Sequence, residues 1–412
     1  MSAVINSRPN SQASSIGADV KPVLLHKIDG HIARVNDIFL LEKEDGVWTV
    51  SDDRSIRLYL KRDNGQFWPS IHHQMPVAPT CLYYSEQTRR FFVGLLNGHV
   101  YEYLVAEDNN SMTEQRRWSA HAGPISGLCL ALDSELVFSC SKDKTLIWHC
   151  SETGTKSGIF QGDSSLTSLV VDLPFIFVGD HGGNVIVLRL NGTTAQLVSK
   201  LSAHTASVSS LAWDRVKEVL FSGSYDNLVI MWDIGGKRGE AYELNSHSSK
   251  VTRLSTAVGA HRLFSADDVG RLVCWDMNVS RLETPAWARS DQCEICDQPF
   301  IWNITKMWQI KALGNRQHHC RTCGKAVCGS CCDNWTVFPK MGYELPVRIC
   351  SICHKKMQDN PQQFDLTSLA VSHDLRTGVT AMHLQETLGK LVTVGQNRVV
   401  MIWDVKPLFK NN

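Results

Sequence analysis

The chain has 412 residues, of which 43% are hydrophobic and 20% are charged, so it has enough apolar material for a large folded core. Its 42 Lys and Arg against 41 Asp and Glu leave a net charge of +1, which excludes a protein that binds polyanions along its whole length. We find neither a signal-peptide core nor the roughly 18 consecutive apolar residues of a membrane span, so we expect a soluble, cytosolic protein.

A repeat organises residues 21–280, after an N-terminal stretch (1–20) that we expect to be flexible. In each copy a turn Asp or Asn precedes a short strand that ends in an aromatic or aliphatic residue. The six end residues, spaced 40 to 45 positions apart, are Tyr59, Tyr103, Trp148, Leu188, Trp232 and Trp275. A seventh copy, in residues 365–408, ends at Trp403, 128 positions after Trp275. About 85 residues are therefore inserted between the sixth and the seventh copy.

A small residue followed by His precedes five of the copies. These pairs are Gly30-His31, Ala120-His121, Ala203-His204, Ser246-His247 and Ser372-His373. Between the two signatures, apolar and polar residues alternate as in half-buried strands. The pattern resembles the WD-repeat family, in which seven copies imply an all-β, seven-bladed propeller. The resemblance also implies structural roles for His204, Asp226 and Trp232, and the segment KPVLLHKI near the N-terminus would form the outer strand of the last blade.

The insertion contains eight cysteines in four pairs, each with two residues between the thiols. They are Cys293, Cys296, Cys320, Cys323, Cys328, Cys331, Cys350 and Cys353. Two such pairs make one tetrahedral zinc site, so the sequence predicts two Zn²⁺ ions in closed, structural sites without an open position for water. The adjacent Cys332 is the unpaired thiol and is interpreted as a bystander.

Residues 287–356 are also the basic part of the chain, with ten Lys and Arg against five Asp and Glu, whereas the rest has 32 against 36. The run Arg316-Gln-His-His-Cys-Arg321 leads into Thr-Cys-Gly, and Arg348-Ile-Cys follows later. This arrangement resembles the FYVE-domain family, which binds the head group of phosphatidylinositol 3-phosphate. An Arg fork can chelate phosphate oxygens and a protonated His can donate to them, so the residue types fit this ligand independently.

The FYVE resemblance implies roles for individual residues. Head-group contacts are expected from Arg316, His318, His319, Arg321, Arg348 and Asp291. The family's pairing order would place Cys293, Cys296, Cys328 and Cys331 on one zinc, and Cys320, Cys323, Cys350 and Cys353 on the other. Shallow insertion into the bilayer is expected from Leu313, Gly314 and Ile310. One alternative is zinc ligation by the two histidines, although eight cysteines already fill both ions. Another is a solvated basic strand without lipid specificity.

Three features depart from the FYVE pattern. Gln317 replaces a basic residue, which removes one charge from the run. The W-x-x-D element appears as Trp287 to Asp291, one residue longer than usual. Twenty-three residues separate Cys296 from Cys320, and the apolar stretch IWNITKMWQI within them is expected to pack on the module or on the propeller.

The propeller and the insertion together resemble the family named for WD-repeat and FYVE domains. The resemblance implies a non-catalytic adaptor, peripheral on early endosome membranes, with protein clients such as signalling kinases on the propeller; dimerisation stays open. The alternative is a RING-type ubiquitin ligase component whose propeller selects substrates, although RING modules usually include a His ligand. A nucleic-acid partner is not expected, because the propeller is nearly neutral and the chain has no nuclear basic cluster.

Overall fold

The structure, a computed structural model, describes residues 20–42, 45–235, 241–311 and 313–409. The stretch 1–20, for which a flexible N-terminus was expected, lies outside these residues except for Val20. Within the described ranges no helix combines the length and hydrophobicity needed to cross a membrane.

Short strands form most of the chain before the cysteine-rich insertion, residues 287–356, which is called the module below. These strands are β1 Val23–Ile28, β2 Val35–Leu40, β3 Gly46–Ser51, β4 Ser55–Lys61, β5 Phe67–Gln74, β6 Pro79–Ser85, β7 Arg90–Leu95, β8 His99–Val105, β9 Met112–Ser119, β10 Ile125–Ala131, β11 Leu136–Ser141, β12 Thr145–Cys150, β13 Lys156–Gln161, β14 Leu166–Asp172, β15 Phe175–Asp180, β16 Asn184–Asn191, β17 Thr194–Ser202, β18 Val208–Asp214, β19 Val219–Ser224, β20 Val229–Asp233, β21 Ala241–Leu244, β22 Val251–Ala257, β23 Arg262–Asp267 and β24 Arg271–Asp276.

The module mixes helices with small sheets, and four more strands follow it. Its elements are α1 Ile304–Ile310, β25 His318–His319, β26 Ala326–Val327, β27 Asn334–Phe338, β28 Tyr343–Ile349 and α2 Ser351–Asp359. The elements after the module are β29 Ala370–Asp374, β30 Val379–Gln385, β31 Lys390–Gly395, β32 Val400–Asp404 and α3 Lys406–Phe409.

Seven four-stranded antiparallel sheets make up the blades of a propeller. In chain order the first five are β2–β5, β6–β9, β10–β13, β14–β17 and β18–β21. Blade six has the order β22-β23-β24-β29, and blade seven has the order β30-β31-β32-β1. The predicted seven-bladed, all-β fold is confirmed. Val23–Ile28 pairs with Val400–Asp404, as expected for the KPVLLHKI segment.

The predicted ranges need one correction at blade six. Residues 21–280 do not hold six complete blades, because Trp275 of β24 pairs with Ala370 of β29, which follows the module. The range also contains β1, which belongs to blade seven. Residues 365–408 accordingly supply one strand to blade six and three to blade seven. Each sequence repeat begins with the outer strand of the preceding blade, and a repeat period alone does not show this offset.

At six of the seven seams, neighbouring blades are joined by a side chain near the start of the inner strand. Its hydroxyl or amide donates to the first backbone carbonyl of the next blade's inner strand, at 2.5 to 3.1 Å. The donors are Asn36, Thr80, Ser126, Thr167, Ser209 and Thr380. Thr380 donates to Val35 O and so links blade seven to blade one. Apolar packing accompanies these bonds, as between Trp48 and Phe91, whose ring centroids are 4.5 Å apart.

The histidines predicted to be structural lie in buried hydrogen-bond chains. Trp232 Nε1 donates to Ser222 Oγ (2.8 Å), which contacts His204 Nε2 (2.8 Å). His204 Nδ1 donates to the Asp226 carboxylate at 2.9 Å. His31, His121 and His247 make the corresponding His–Asp contacts. The structural interpretation of these residues therefore agrees with their geometry.

The fifth predicted histidine is an exception. Each of these four histidines lies four positions before an inner strand, as His204 does before Val208. Blade seven has its inner strand at Val379, so the equivalent residue is Leu375, which is buried. His373 instead lies on β29 and packs edge-on against Trp403. His373 lies two positions before Leu375, which occupies the place of the buried histidines. His373 therefore fits the sequence pattern but has a different position in the fold.

The module contacts the propeller at blade five. The N–H of Asn245 donates to Gly342 O at 2.8 Å, and its carbonyl accepts from the N–H of Glu344 at 2.9 Å. The hydroxyl of Tyr343 donates to the Glu243 carboxylate at 3.3 Å. β28 thus extends the outer edge of blade five through backbone hydrogen bonds.

The chain segments on both sides of the module are tied to the same hairpin. Arg281, before the module, donates to Pro339 O at 3.3 Å. After the module, the Ser368 hydroxyl and the Leu369 N–H donate to the Glu344 carboxylate at 2.7 and 2.8 Å. Burial raises the pKa of Glu344, although these bonds and Arg281 act against it. The module is therefore held by its two connections and by direct contact.

We expect His204→Ala to destabilise the propeller by about 1–3 kcal/mol, because the partly buried Asp226 carboxylate and the Ser222 hydroxyl each lose one buried hydrogen bond. His373→Ala is the matched control and should have a clearly smaller effect, since no hydrogen bond of its ring occurs among the described residues. The midpoint of urea unfolding measures both. Equal shifts for the two variants would contradict the structural role of the hydrogen-bond chain.

We expect Gly342→Ala to loosen the module from blade five. Gly342 has φ +87°, and an added Cβ would lie 1.9 Å from Glu243 O. Hydrogen exchange of the Asn245 and Glu344 amides should become at least about tenfold faster as these bonds open. Gly192→Ala is the control, because φ there is +61° but the Cβ would meet nothing within 4 Å. Unchanged exchange at Asn245 would show that the contact does not hold the module.

Candidate zinc centres and basic pocket

The eight cysteines form two groups of four. One group is Cys293, Cys296, Cys328 and Cys331, and the other is Cys320, Cys323, Cys350 and Cys353. Within each group all sulfur atoms lie within 4.8 Å of one another. The Sγ atoms of Cys296 and Cys328 are 3.6 Å apart, and those of Cys323 and Cys350 are 3.9 Å apart. A tetrahedron with zinc–sulfur bonds of about 2.3 Å has edges of about 3.8 Å, so both groups can hold a zinc ion.

Local backbone geometry brings each pair of thiols together. The turn after Cys293 closes with the N–H of Asp297 donating to Cys293 O at 2.9 Å, and Asp297 has φ +56°. Gly324 closes the turn after Cys320 in the same way, with φ +74°. The N–H of Cys350 points at Cys320 Sγ, 3.2 Å away, as expected for a thiolate ligand. The module thus contains two closed four-cysteine sites that fit two structural zinc ions, in the pairing that the family resemblance implied.

The other candidate ligands lie outside these groups. Cys332 is fully buried but belongs to neither group. His319 Nε2 lies 3.0 Å from Ala288 O, so this nitrogen carries a proton and donates to the carbonyl. His318 is not part of either group. Zinc ligation by the two histidines, the alternative considered from sequence, does not fit this arrangement.

Three of the predicted contact residues are close enough for the two arginines to act on the charge of the histidine. His318 is half-buried, Arg316 is exposed, and Arg348 is contributed by β28. Burial lowers the pKa of His318, and the positive charges of Arg348 and Arg316 lower it further. Arg348 is held in place because its guanidinium lies 4.7 Å from the Trp335 ring and donates to Cys332 O. These three side chains are called the basic pocket below.

The remaining predicted contacts lie on the other side of the run. His319 stacks on Trp287 with 4.8 Å between ring centroids, and the Arg321 guanidinium lies 4.7 Å from the same ring. Asp291 accepts a hydrogen bond from Trp302 Nε1 at 3.2 Å. An open cleft of about 630 Å³ is lined by residues 287–291, Trp302, Gln317 and His319. The indole of Trp287 thus holds the side chains of His319 and Arg321 in place.

The residues predicted to enter a bilayer behave differently from one another. Leu313 and Ile310 are exposed, as an insertion role requires. Gly314 is buried, and a Cβ there would lie 2.6 Å from Phe300 O. Its predicted insertion role is wrong, because the glycine lets the loop pass close to the backbone of Phe300. The stretch from Ile301 to Ile310 was expected to pack on the module or on the propeller, but α1 has no buried residue. Trp302, before α1, does contact Phe300 of the module, with 5.2 Å between ring centroids.

Two positioning residues were missed from sequence. Trp287 was noted as part of a motif, but its stacking with His319 and Arg321 was not predicted. Trp335 lies directly opposite Arg348 in the β27–β28 hairpin. Its role depends on the register of that hairpin, for which the sequence carries no signal. Both indoles pre-order cationic side chains, which reduces the entropy lost when an anion binds.

The site offers many hydrogen-bond donors. Arginine forks suit the oxygens of a phosphate monoester, and the flanking Asp291 can accept from hydroxyl groups. The closed zinc sites leave no metal position for a substrate. The arrangement therefore suits recognition of a phosphorylated, hydroxyl-rich ligand.

We expect the purified chain to contain two zinc ions, measured by mass spectrometry of the metal. Cys331→Ser should reduce the content to about one ion per chain, because it removes one ligand from a four-cysteine site. The neighbouring Cys332→Ser is the control and should retain two ions. Loss of zinc from the Cys332 variant, or retention by the Cys331 variant, would contradict the grouping.

Comparisons with known proteins agree with this architecture. The FYVE zinc finger family matches residues 286–359, and the WD domain, G-beta repeat family matches residues 112–149 and 195–233. WD repeat and FYVE domain-containing protein 2 of Caenorhabditis briggsae is 65% identical over 98% of this chain and 97% of its own length. WD repeat and FYVE domain-containing protein 1 of Mus musculus is 42% identical over 99% of this chain and 97% of its own length. The chain belongs to the WD repeat and FYVE domain-containing protein family.

Proposed function

We propose that the chain is a non-catalytic adaptor that binds phosphatidylinositol 3-phosphate on early endosomes through its module and holds protein clients on its propeller. The observation that carries the proposal is the match of residues 286–359 to the FYVE zinc finger family, in a module where Arg316 and Arg348 are close enough to act on the charge of His318. The 3-phosphate would lie in this basic pocket, where charge-assisted hydrogen bonds from Arg are about twice as strong as neutral ones.

The other side of the basic run supports the same ligand. His319 and Arg321, ordered by Trp287, add donors near the head group. Asp291 keeps acceptor capacity beyond its bond from Trp302 and faces the cleft, where it can receive a hydroxyl of the inositol ring. Gln317, the neutral replacement in the run, reaches Ser290 O at 3.4 Å. It therefore braces the cleft rather than contributing charge.

The propeller supplies the adaptor part of the proposal. Its buried His–Asp contacts belong to the structural hydrogen-bond chains, and WD-type propellers present broad rigid surfaces to proteins. Signalling kinases are among the clients we expect, and dimerisation is compatible with the fold. The ubiquitin-ligase alternative has less support, because both metal groups consist of cysteine alone and the module matches a FYVE family.

We expect the full chain to bind vesicles containing phosphatidylinositol 3-phosphate and not vesicles with other monophosphorylated phosphoinositides. Arg316→Ala should weaken this binding at least about tenfold, because it removes a charge-assisted phosphate contact. Arg316 is exposed, so the substitution does not disturb the core. Co-sedimentation with vesicles measures the effect.

The control is Arg215→Ala, which makes the same charge change on an exposed propeller turn. This variant should bind as the wild type does. Equal binding to all anionic vesicles, or equal loss in the two variants, would reduce the interaction to general electrostatics and contradict head-group recognition.

A further inference from the structure

We propose that a pocket on the propeller, at the seam between blades six and seven, binds an acidic side chain in an extended segment of a client protein. The proposal rests on the proposed adaptor function and supplies a site and a ligand chemistry for it. The pocket has a volume of about 300 Å³ and opens to solvent. Its lining, called the seam pocket below, includes Arg34, Tyr225, Lys250, Thr252, Asp268 and Gln396. These residues belong to the propeller, so the site is separate from the basic pocket of the module.

The seam pocket lies where a bridge between neighbouring inner strands is missing. At the other six seams a side chain near the start of the inner strand donates to the first carbonyl of the next inner strand. Thr252 holds the equivalent position in β22 and donates to Ala266 O of its own blade at 3.1 Å. Among the described residues it has no hydrogen bond to Val379 O of β30, although both residues line the pocket. The missing bridge therefore coincides with the opening.

Two other contacts keep the blades in place around the opening. The side-chain amide of Gln396 in blade seven donates to Asp268 O of blade six at 3.0 Å. The Arg253 guanidinium donates to Asn36 O at 3.2 Å and so joins blade six to blade one. The seam pocket is thus a fixed feature of the ring, and a preformed site reduces the entropy lost when a ligand binds.

The seam pocket has an excess of positive charge. Arg34 and Lys250 are exposed, and within the described parts of the chain neither forms an ion pair. The Lys250 ammonium instead lies 5.6 Å from the centroid of the Tyr225 ring. Asp268 supplies one carboxylate, which accepts from the Ser249 hydroxyl at 2.5 Å. Two cations beside one carboxylate suit one further carboxylate, because an arginine fork and an ammonium both donate well to it.

The same balance of charge disfavours other anionic ligands. A phosphorylated side chain carries almost two negative charges, and the Asp268 carboxylate in the lining would repel it. Nucleic acids are bound by neutralising several phosphates in a row, and two unpaired cations are too few for that. An acidic residue of a protein is therefore the ligand that fits.

Exposed apolar side chains flank the charged residues of the seam pocket. Val269 follows Asp268 and is 58% exposed, and Ile32 lies two positions before Arg34 and is 79% exposed. Ile32 is held in place because its carbonyl accepts from the Arg398 guanidinium at 2.7 Å. A client segment with apolar residues on either side of the acidic one would cover both side chains, as in the core of a protein interface.

Short random peptides displayed on phage and selected on the full, zinc-loaded chain test the proposal. We expect the selected peptides to carry an Asp or Glu with apolar neighbours. Synthetic copies should bind Arg34→Ala at least about tenfold more weakly than the wild type, because a charge-assisted contact is lost. Fluorescence anisotropy measures these affinities. Replacing the acidic residue of the peptide by its amide should weaken binding to the wild type and have little further effect on the variant.

Arg215→Ala is the matched control, since it removes the same charge from the exposed turn between β18 and β19. It should bind the peptides as the wild type does. Arg34→Ala should in turn bind vesicles containing phosphatidylinositol 3-phosphate as the wild type does, because the lipid site lies in the module.

Selected peptides without an acidic residue, or equal losses in the Arg34 and Arg215 variants, would overturn the proposal. Tighter binding of a peptide with phosphoserine in place of its acidic residue would also overturn it, and would assign a phosphate ligand. The adaptor function would stand in these cases, because the chain still binds peptides. Failure to select any peptide would instead contradict the adaptor function and the seam pocket together.

Discussion

The pairing of β24 with β29 is the constraint on which the rest of the molecule depends. It completes blade six, and it brings together two points of the chain that are separated by the whole module. Trp275 and Ala370 are opposite one another in this ladder, so the chain leaves and re-enters the propeller at nearly the same place. The entropy lost in closing a loop grows only slowly with its length, so a folded insertion is tolerated here at little expense of stability.

β28 connects the functional parts of the module to this framework. The strand begins at Tyr343, beside the edge of blade five, and ends at Ile349, just before the ligand Cys350. Arg348 of the basic pocket lies between these points. At about 3.3 Å per residue, the propeller contact and the pocket are only about 17 Å apart along one strand. The direction of the pocket relative to the blades is thereby set by a single extended element that zinc holds at one end.

Sequence spacing predicted the parts of the structure that local chemistry determines. The repeat period yielded the number of blades, and the cysteine pairs yielded two metal groups, because each depends on residues close in sequence. Features that depend on pairing between distant parts of the chain could not be predicted from the sequence. That Leu375 and not His373 occupies the position of the buried histidines follows from where β29 ends and the next inner strand begins. The contact of Trp335 with Arg348 follows from hairpin register, which the sequence does not display.

The long segment after Cys296 shows a different kind of limit. Apolar residues predict burial, and this expectation failed for α1, which has no buried residue. The prediction for Gly314 was wrong for the opposite reason. A small residue beside the exposed Leu313 was interpreted as part of the same membrane-inserting loop. Only the close approach of Phe300 shows that it is a packing position.

The closure of blade seven by β1 has a consequence for synthesis on the ribosome. The strands of blades one to five can pair in the order in which they emerge, because each blade is continuous in sequence. β1 emerges first but has its partner in β32, near the other end of the chain. Throughout translation it is an unpaired apolar strand, and the growing arc of blades has two open edges. Nascent chains of this protein therefore expose strand edges that the finished ring no longer offers.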